Sequence, residues 1–340
     1  MDTYRAVALQ LTCHAVNRFQ QAAHAREAIQ SAIARVAQVI PATLAWTGAD
    51  TRLVVLPEYF LTGFPMAESA AEWQAKACLE MDGREYEALG AIAQDQGVFL
   101  AGNGYELDPA FPELYFQTSY VIDPTGEVVL RYRRLNSMFA PTPHDVWERY
   151  LDLYGLDGVF PVARTEIGNL GAVASEEILY PEIARCVTLR GAEVLVHSSC
   201  ETSSPRVTPK GVTKIARAIE NMAYVVSCNT AGMSGTPIPG GSADGGSQII
   251  DYRGQVLAEA GPGESIVAHS ELDLAALRRF RRRPGMENLL SRQRLELFAA
   301  SYAEAGWYPP NTLADATPQR EHFLRTQRQT IERLAKLGLI

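Results

Sequence analysis

Short apolar runs and longer stretches of helical spacing alternate along the whole chain. Residues 4–11 read as a strand, and residues 22–39 carry apolar positions at helical spacing, a helix that Pro41 is expected to end. Residues 53–56 form a fully apolar strand closed by Pro57. Residues 86–96 predict a helix, and 98–101 the strand after it. A hairpin is predicted over 115–122 and 127–132, joined by the turn sequence Asp123-Pro124-Thr125-Gly126.

The second half repeats this rhythm. Strands are predicted at 171–174, 193–197 and 223–228, helices at 181–190 and 212–221, and a hairpin at 247–251 with 255–259. The halves agree in element order without any residue-level repeat. Residues 240–246 are glycine-rich but short, a loop at the edge of a site rather than a linker. The expectation is one α/β domain over 1–285, then a helical, charged extension over 286–340 that serves as an arm or oligomer contact.

Composition narrows the function. With 340 residues, 47% hydrophobic and 21% charged, the chain is a globular protein and not a disordered one. A net charge of −8 argues against a nucleic-acid partner, since phosphate contacts need basic stripes. The run from Arg278 to Arg283 is too local to change that. No stretch reads as the ~18–20 apolar residues of a membrane span, and Met1-Asp2-Thr3-Tyr4-Arg5 does not spell a signal peptide. Cys13, Cys78, Cys186, Cys200 and Cys228 are scattered, so neither disulfides nor a thiolate zinc site is expected. The histidines lack ligand spacing, and the 240–246 loop lacks the Gly-Lys-Ser/Thr ending of a phosphate loop. A cytoplasmic protein without metal, nucleic-acid or membrane partner is expected.

Three places could carry chemistry. Glu58 follows a fully apolar strand, where a carboxylate is costly unless paired or working; a helix cap or buried ion pair is the plainer reading. Tyr132-Arg133-Arg134 ends a hairpin strand, and alone reads equally as a solvated basic end. Residues 171–182 pass from an apolar strand through Ser175, Glu176 and Glu177 into a helix, a strand–elbow–helix arrangement that exposes the elbow side chain. Ser175 as a simple helix cap is the alternative.

In order and spacing these places resemble the nitrilase, or carbon–nitrogen hydrolase, superfamily over roughly residues 4–280. The resemblance is carried by Leu56-Pro57-Glu58 with Gly63-Phe64-Pro65, by Tyr132-Arg133-Arg134, and by Tyr180-Pro181-Glu182 with Arg190-Gly191-Ala192-Glu193. Arg217-Ala218-Ile219-Glu220-Asn221, Asn229, and Gly246-Ser247-Gln248 continue it. It implies a four-layer αββα sandwich that dimerises to αββα–αββα, a Glu–Lys–Cys catalytic set, no cofactor, and a small amide or nitrile as substrate. In that set a thiolate attacks carbon, the Glu moves protons and the Lys stabilises the tetrahedral intermediate. A further acid after the Lys segment falls at Asp145, with Glu148 as fallback. Tyr59, Glu176, Glu177, His197 and Cys200 are further pocket candidates, and the aromatics Phe60, Phe139 and Trp147 could set substrate size.

Two positions depart from the family pattern: Ser175 stands at the Cys position and Arg134 at the Lys position, while Glu58 is kept. A hydroxyl needs a stronger base than a thiol, and a guanidinium gives up no proton. Arg134 would also tend to form a bidentate pair with Glu58. Three readings stay open. One is a hydrolase using Ser175, or Cys200, with Glu58 as base. Another is an inactive pseudoenzyme that holds a small amide or carboxylate, or supports an active partner. The third is a Cys-to-Ser trap of an active amidase, which accounts for Ser175 but not for Arg134.

Overall fold

The computed structural model describes residues 1–202 and 207–340. The first half runs β1 (Thr3–Ala8), β2 (Thr12–His14), α1 (Ala22–Thr47), β3 (Thr51–Val55), α2 (Ala70–Ala77) and β4 (Leu79–Glu80). It continues with α3 (Arg84–Gln96), β5 (Phe99–Leu107), β6 (Tyr115–Ile122) and β7 (Val128–Arg133). Next come α4 (Trp147–Val159), β8 (Ala163–Thr165), β9 (Gly168–Ala174), α5 (Pro181–Leu189), β10 (Val194–Ser199) and α6 (Pro209–Asn221). Then β11 (Tyr224–Asn229), β12 (Gly232–Ser234), β13 (Gln248–Ile250), β14 (Val256–Glu259), β15 (His269–Asp273) and α7 (Leu274–Arg282) complete the second half, and α8 (Leu295–Glu304) and α9 (Arg320–Lys336) form the tail.

One sheet has the order β15-β1-β3-β5-β6-β7 with β4 beside β5; the other has β14-β13-β11-β10-β9-β8. Within them β1, β3 and β5 are parallel, as are β9, β10 and β11. The strands of the first sheet alternate strictly. Tyr4, Ala6, Ala8, Leu53, Val55, Phe99 and Ala101 join the core between the sheets. Their neighbours Val7, Leu9, Val54, Leu56 and Leu100 pack instead with Ile29, Ile33, Val36 and Ile40 of α1 and Leu89 of α3. A period of two in each strand, with both faces apolar, demands a covered layer on each side. The α5 and α6 helices cover the second sheet, which gives the αββα order that the family resemblance implied.

Helix α1 differs from its expected end, because it runs through Pro41 to Thr47. Both Pro41 and Ala37, whose carbonyl the ring leaves without a donor, lie at exposed positions, so water can satisfy that carbonyl. At 26 residues α1 is long and apolar enough to cross a bilayer, yet Ile29, Ile33, Val36 and Ile40 form one buried stripe, as in an amphipathic core helix. Helix α4 was not expected from the pattern; Gly155, with φ 61° and ψ −177°, breaks its helical geometry internally. Two arginines of the run in and after α7 are spent inside the fold: Arg278 forms a two-pronged bond to Glu193, and Arg281 donates to the carbonyls of Met222 and Ala192, while Arg279, Arg282 and Arg283 are exposed.

The tail is stitched to the 144–148 segment. Asn311 N–H donates to His144 O at 2.9 Å, Leu313 N–H to Asp145 O at 2.9 Å, and Glu148 N–H to the Asn311 side chain at 3.0 Å. Leu313 and Phe323 are buried with Phe116, Val146 and Tyr150.

Candidate active site

The parallel strands of both sheets aim their carboxyl ends at one region, where side chains sit on rigid backbone while loops open above. Glu58 lies three residues beyond β3 and is fully buried. Its backbone is pinned from two sides, by Glu58 N–H to Ser199 O at 3.3 Å and by the Thr230 hydroxyl to Glu58 O at 2.8 Å. The turn that follows places Tyr59 at φ 62° and Gly63 at φ 74°. A Cβ on Gly63 would meet the Ala15 Cβ at 2.5 Å, so only glycine fits there.

Gln117 of β6 stands between the two expected partners. Its Nε2 donates to Glu58 Oε1 at 2.6 Å and to Asn103 Oδ1 at 3.0 Å, while its Oε1 accepts from Arg134 Nη1 at 2.7 Å. Arg134 Nη1 is 3.6 Å from Glu58 Oε1, so the bidentate Glu58–Arg134 pair expected from sequence does not form. The guanidinium instead spans Gln117, the Asn136 carbonyl at 2.6 Å, and the Glu176 carboxylate. Burial opposes charge on Arg134, but Tyr59, Glu176 and Glu58 together hold it protonated, above the usual arginine range. Glu58 Oε2 is buried and makes no hydrogen bond to the described residues.

Ser175 follows β9 directly and adopts φ 49°, a left-handed backbone that costs on the order of 1–3 kcal/mol for a residue with a side chain. Two buried groups hold it there. His197 Nε2 donates to Ser175 O at 2.8 Å, and its Nδ1 pairs with the Ser227 hydroxyl at 2.8 Å. Since the carbonyl can only accept, the ring is read as the Nε2–H tautomer with Nδ1 accepting. Burial, then the Lys214 charge, push its pKa well down and keep it neutral. His197 is thus a clamp behind the elbow, not the pocket residue expected from sequence. Glu177 likewise turns inward rather than lining the rim. Its Oε1 accepts from Leu135 N–H at 2.7 Å and Asn136 N–H at 2.8 Å, and its Oε2 from the Tyr132 hydroxyl at 2.7 Å. This carboxyl locks the end of β7 to the elbow. Burial pushes it up to about 7, against the Arg134 charge and those three donors.

A cavity of about 360 Å³ opens over the elbow, with Glu58, Tyr59, Gln117, Arg134, Ser175, Glu176, Phe139, Cys200 and Lys210 among its walls. Lys210, on the first turn of α6, places Nζ 3.3 Å from Ser175 Oγ. Thr208 caps that helix and Pro209 starts it, which fixes where Lys210 emerges. Lys210 and Gln117 were not singled out from the sequence. A polar Gln inside a strand buried on both faces was a usable signal; nothing in the local sequence marked Lys210.

Other expected residues are placed elsewhere. Asp145 lies outside this cavity: its Oδ2 accepts from Thr142 N–H and Oγ1 at 2.9 and 2.8 Å, and its Oδ1 from Thr312 at 2.6 Å. It is a capping and tail-holding acid. The fallback Glu148 is an exposed residue at the start of α4 and does not reach the cavity. Phe60 is in the core beneath α1, and Trp147 lines a different cavity. Cys200 is at the wall, but burial and then Glu58 push its thiol up to about 12, so no thiolate is available near neutrality.

The sequence profile of the carbon–nitrogen hydrolase family matches residues 5–282, and the chain belongs to that family. The 2-oxoglutaramate amidase of Bacillus subtilis is 31% identical over 223 residues, 65% of this chain and 78% of that one. The crystal structure of Saccharomyces cerevisiae Nit3, a nitrilase-superfamily member, superposes with a TM-score of 0.65 at 22% identity, covering 83% of this chain and 94% of that one. A mutant of the amidase from Nesterenkonia sp. AN1, with the acetamide moiety of fluoroacetamide on its active-site cysteine, gives a TM-score of 0.57 at 21% identity, over 87% and 96% of the two chains.

Proposed function

We propose that the protein hydrolyses the carbon–nitrogen bond of a small primary amide with Ser175 as nucleophile. The observation that carries this is the elbow: Ser175 is held in a strained conformation over a cavity it shares with a buried carboxylate, Glu58, one of whose oxygens has no partner among the described residues. Strain and an unpaired buried oxygen are costs that a purely structural pocket has no reason to keep. The amidase names of the relatives agree with this choice of substrate class.

In the first step Ser175 Oγ bonds to the amide carbon, its proton passes to Glu58, and the carbonyl π pair becomes an oxyanion. Lys210, beside Oγ, and the backbone N–H after Ser175 face that oxyanion. The carbonyl then re-forms, the C–N bond breaks, and Glu58 returns the proton to the departing nitrogen as ammonia. Water attacks the resulting serine ester and gives a proton to Glu58. Collapse releases the carboxylic acid and restores the Ser175 hydroxyl with that proton. Arg134 takes no proton; it holds Gln117, and through it Glu58, in place.

A second reading is favoured by one observation, that the Arg134 guanidinium is committed to Glu58, Gln117, Asn136 and Glu176. In that reading the pocket holds an amide or carboxylate without turning it over. Ammonia release from a panel of small amides, ureido compounds and nitriles separates the two. Turnover that disappears in Ser175→Ala supports the serine hydrolase. No turnover in the parent, with activity in the Arg134→Lys/Ser175→Cys double variant, means a family pocket whose chemistry is switched off. Self-association belongs to the same proposal: Leu189, Val212 and Ile219 leave an apolar face exposed on α5 and α6, suited to a second copy. Sedimentation is expected to give twice the chain mass.

A further inference from the structure

A second cavity of about 750 Å³ lies against the first, and the two share Ser137, Met138 and Glu176 as walls. Its far side is made by the tail, through Ala305, Gly306, Trp307, Tyr308, Phe323 and Gln327. The tail there is fixed rather than loose. Besides the bonds to residues 144–148, Arg320 sits over the ring of Phe139 at 3.7 Å, and Phe139 itself walls the first cavity. The tail therefore packs against a wall residue of the amide pocket.

The chemistry of the second cavity is aromatic and largely without available charge. Trp147, Phe160, Tyr180 and Trp307 face it along with Tyr308 and Phe323. The Asp145 carboxylate is consumed by Thr142 and Thr312, and Glu176 by Arg134. His144 is pushed down by burial and stays neutral. Such a wall suits a neutral ring, which gains both burial and edge or face contacts with other rings.

We propose that the two cavities form one site for arylalkyl amides, with the carboxamide at Ser175 and the aryl group in the tail-walled compartment. This rests on the amide reading of the first cavity. Met138, on the shared wall, has an unbranched side chain that can shift to pass a short alkyl linker. The tail is then a specificity element of the enzyme.

Calorimetric titration of Ser175→Ala protein with propionamide and with 3-phenylpropionamide tests this apart from catalysis. Burying a phenyl ring predicts that the aryl amide binds about 30-fold more tightly, or better. Gly306→Trp fills the second cavity, and a Cβ at Gly306 meets nothing within 4 Å. The preference is expected to fall toward one in that variant, and to weaken in Trp307→Ser, which keeps the test open if Gly306→Trp fails to fold. Propionamide bound as tightly as the aryl amide overturns the inference while leaving the amide reading intact. So does a preference that neither variant moves. Binding of neither amide overturns both.

Discussion

Ser175 sits at the elbow over the cavity, and its conformation has a visible cause. His197 grips its carbonyl from behind, and Lys210 meets its hydroxyl from the front. Replacing Lys210 by Met removes a charge facing the developing oxyanion and is expected to lower kcat by about 10²–10³ while KM changes little. Steady-state ammonia release with the variant checks it. His197→Ala leaves the elbow carbonyl unpaired beside a void, an expected loss of about 2–4 kcal/mol in a denaturant titration. Glu177 adds a pH signature. Its carboxyl is raised from the unfolded value to about 7, so the native state holds the proton more tightly than the unfolded chain. That contribution, on the order of 3 kcal/mol, is full below the unfolded pKa near 4.5 and is lost as pH rises through about 7. Glu177→Gln can still accept from Leu135 and Asn136 and is expected to flatten the stability–pH curve over that window.

At the scale of elements, the tail walls the second cavity and is tied to the 144–148 segment. Asp145 caps its own turn and binds Thr312, so Asp145→Ala should release the tail. Limited proteolysis is then expected to cut within residues 305–340 at least several-fold faster, with the sandwich intact. Strands β1, β3, β5–β7, β9–β11, β13 and β14 were legible from their apolar runs, whereas β2, β4, β8, β12 and β15, two to five residues long with no apolar run of their own, were not expected. That Glu58, Arg134 and Ser175 meet at one cavity was legible because charged or small residues at the ends of such strands stand out. Asp145 was misassigned, although Thr142-Pro143-His144-Asp145 itself spells a capping box. Gln117 was overlooked although a polar Gln in a strand buried on both faces marks it, and Lys210 escaped notice because only the fold brings the first turn of α6 to Ser175. The end of α1 was misjudged because a proline whose lost bond faces water does not stop a helix.

For the whole molecule, membership of the carbon–nitrogen hydrolase family fixes the scaffold, and two cationic side chains, Arg134 and Lys210, reach the cavity. Arg134, just past the end of β7, serves the network around Glu58, and Lys210 brings a cation beside Ser175 Oγ from α6. The proposed reaction requires that Ser175 become acylated. Acid-quenched protein mixed with excess amide substrate can be weighed intact and its peptides mapped by mass spectrometry. An acyl mass is expected on the peptide containing Ser175, absent in Ser175→Ala and enriched in Lys210→Met if breakdown of the ester also uses that cation. Tight amide binding with no adduct and no ammonia would contradict the proposed reaction, and the pocket would then be a ligand-holding site.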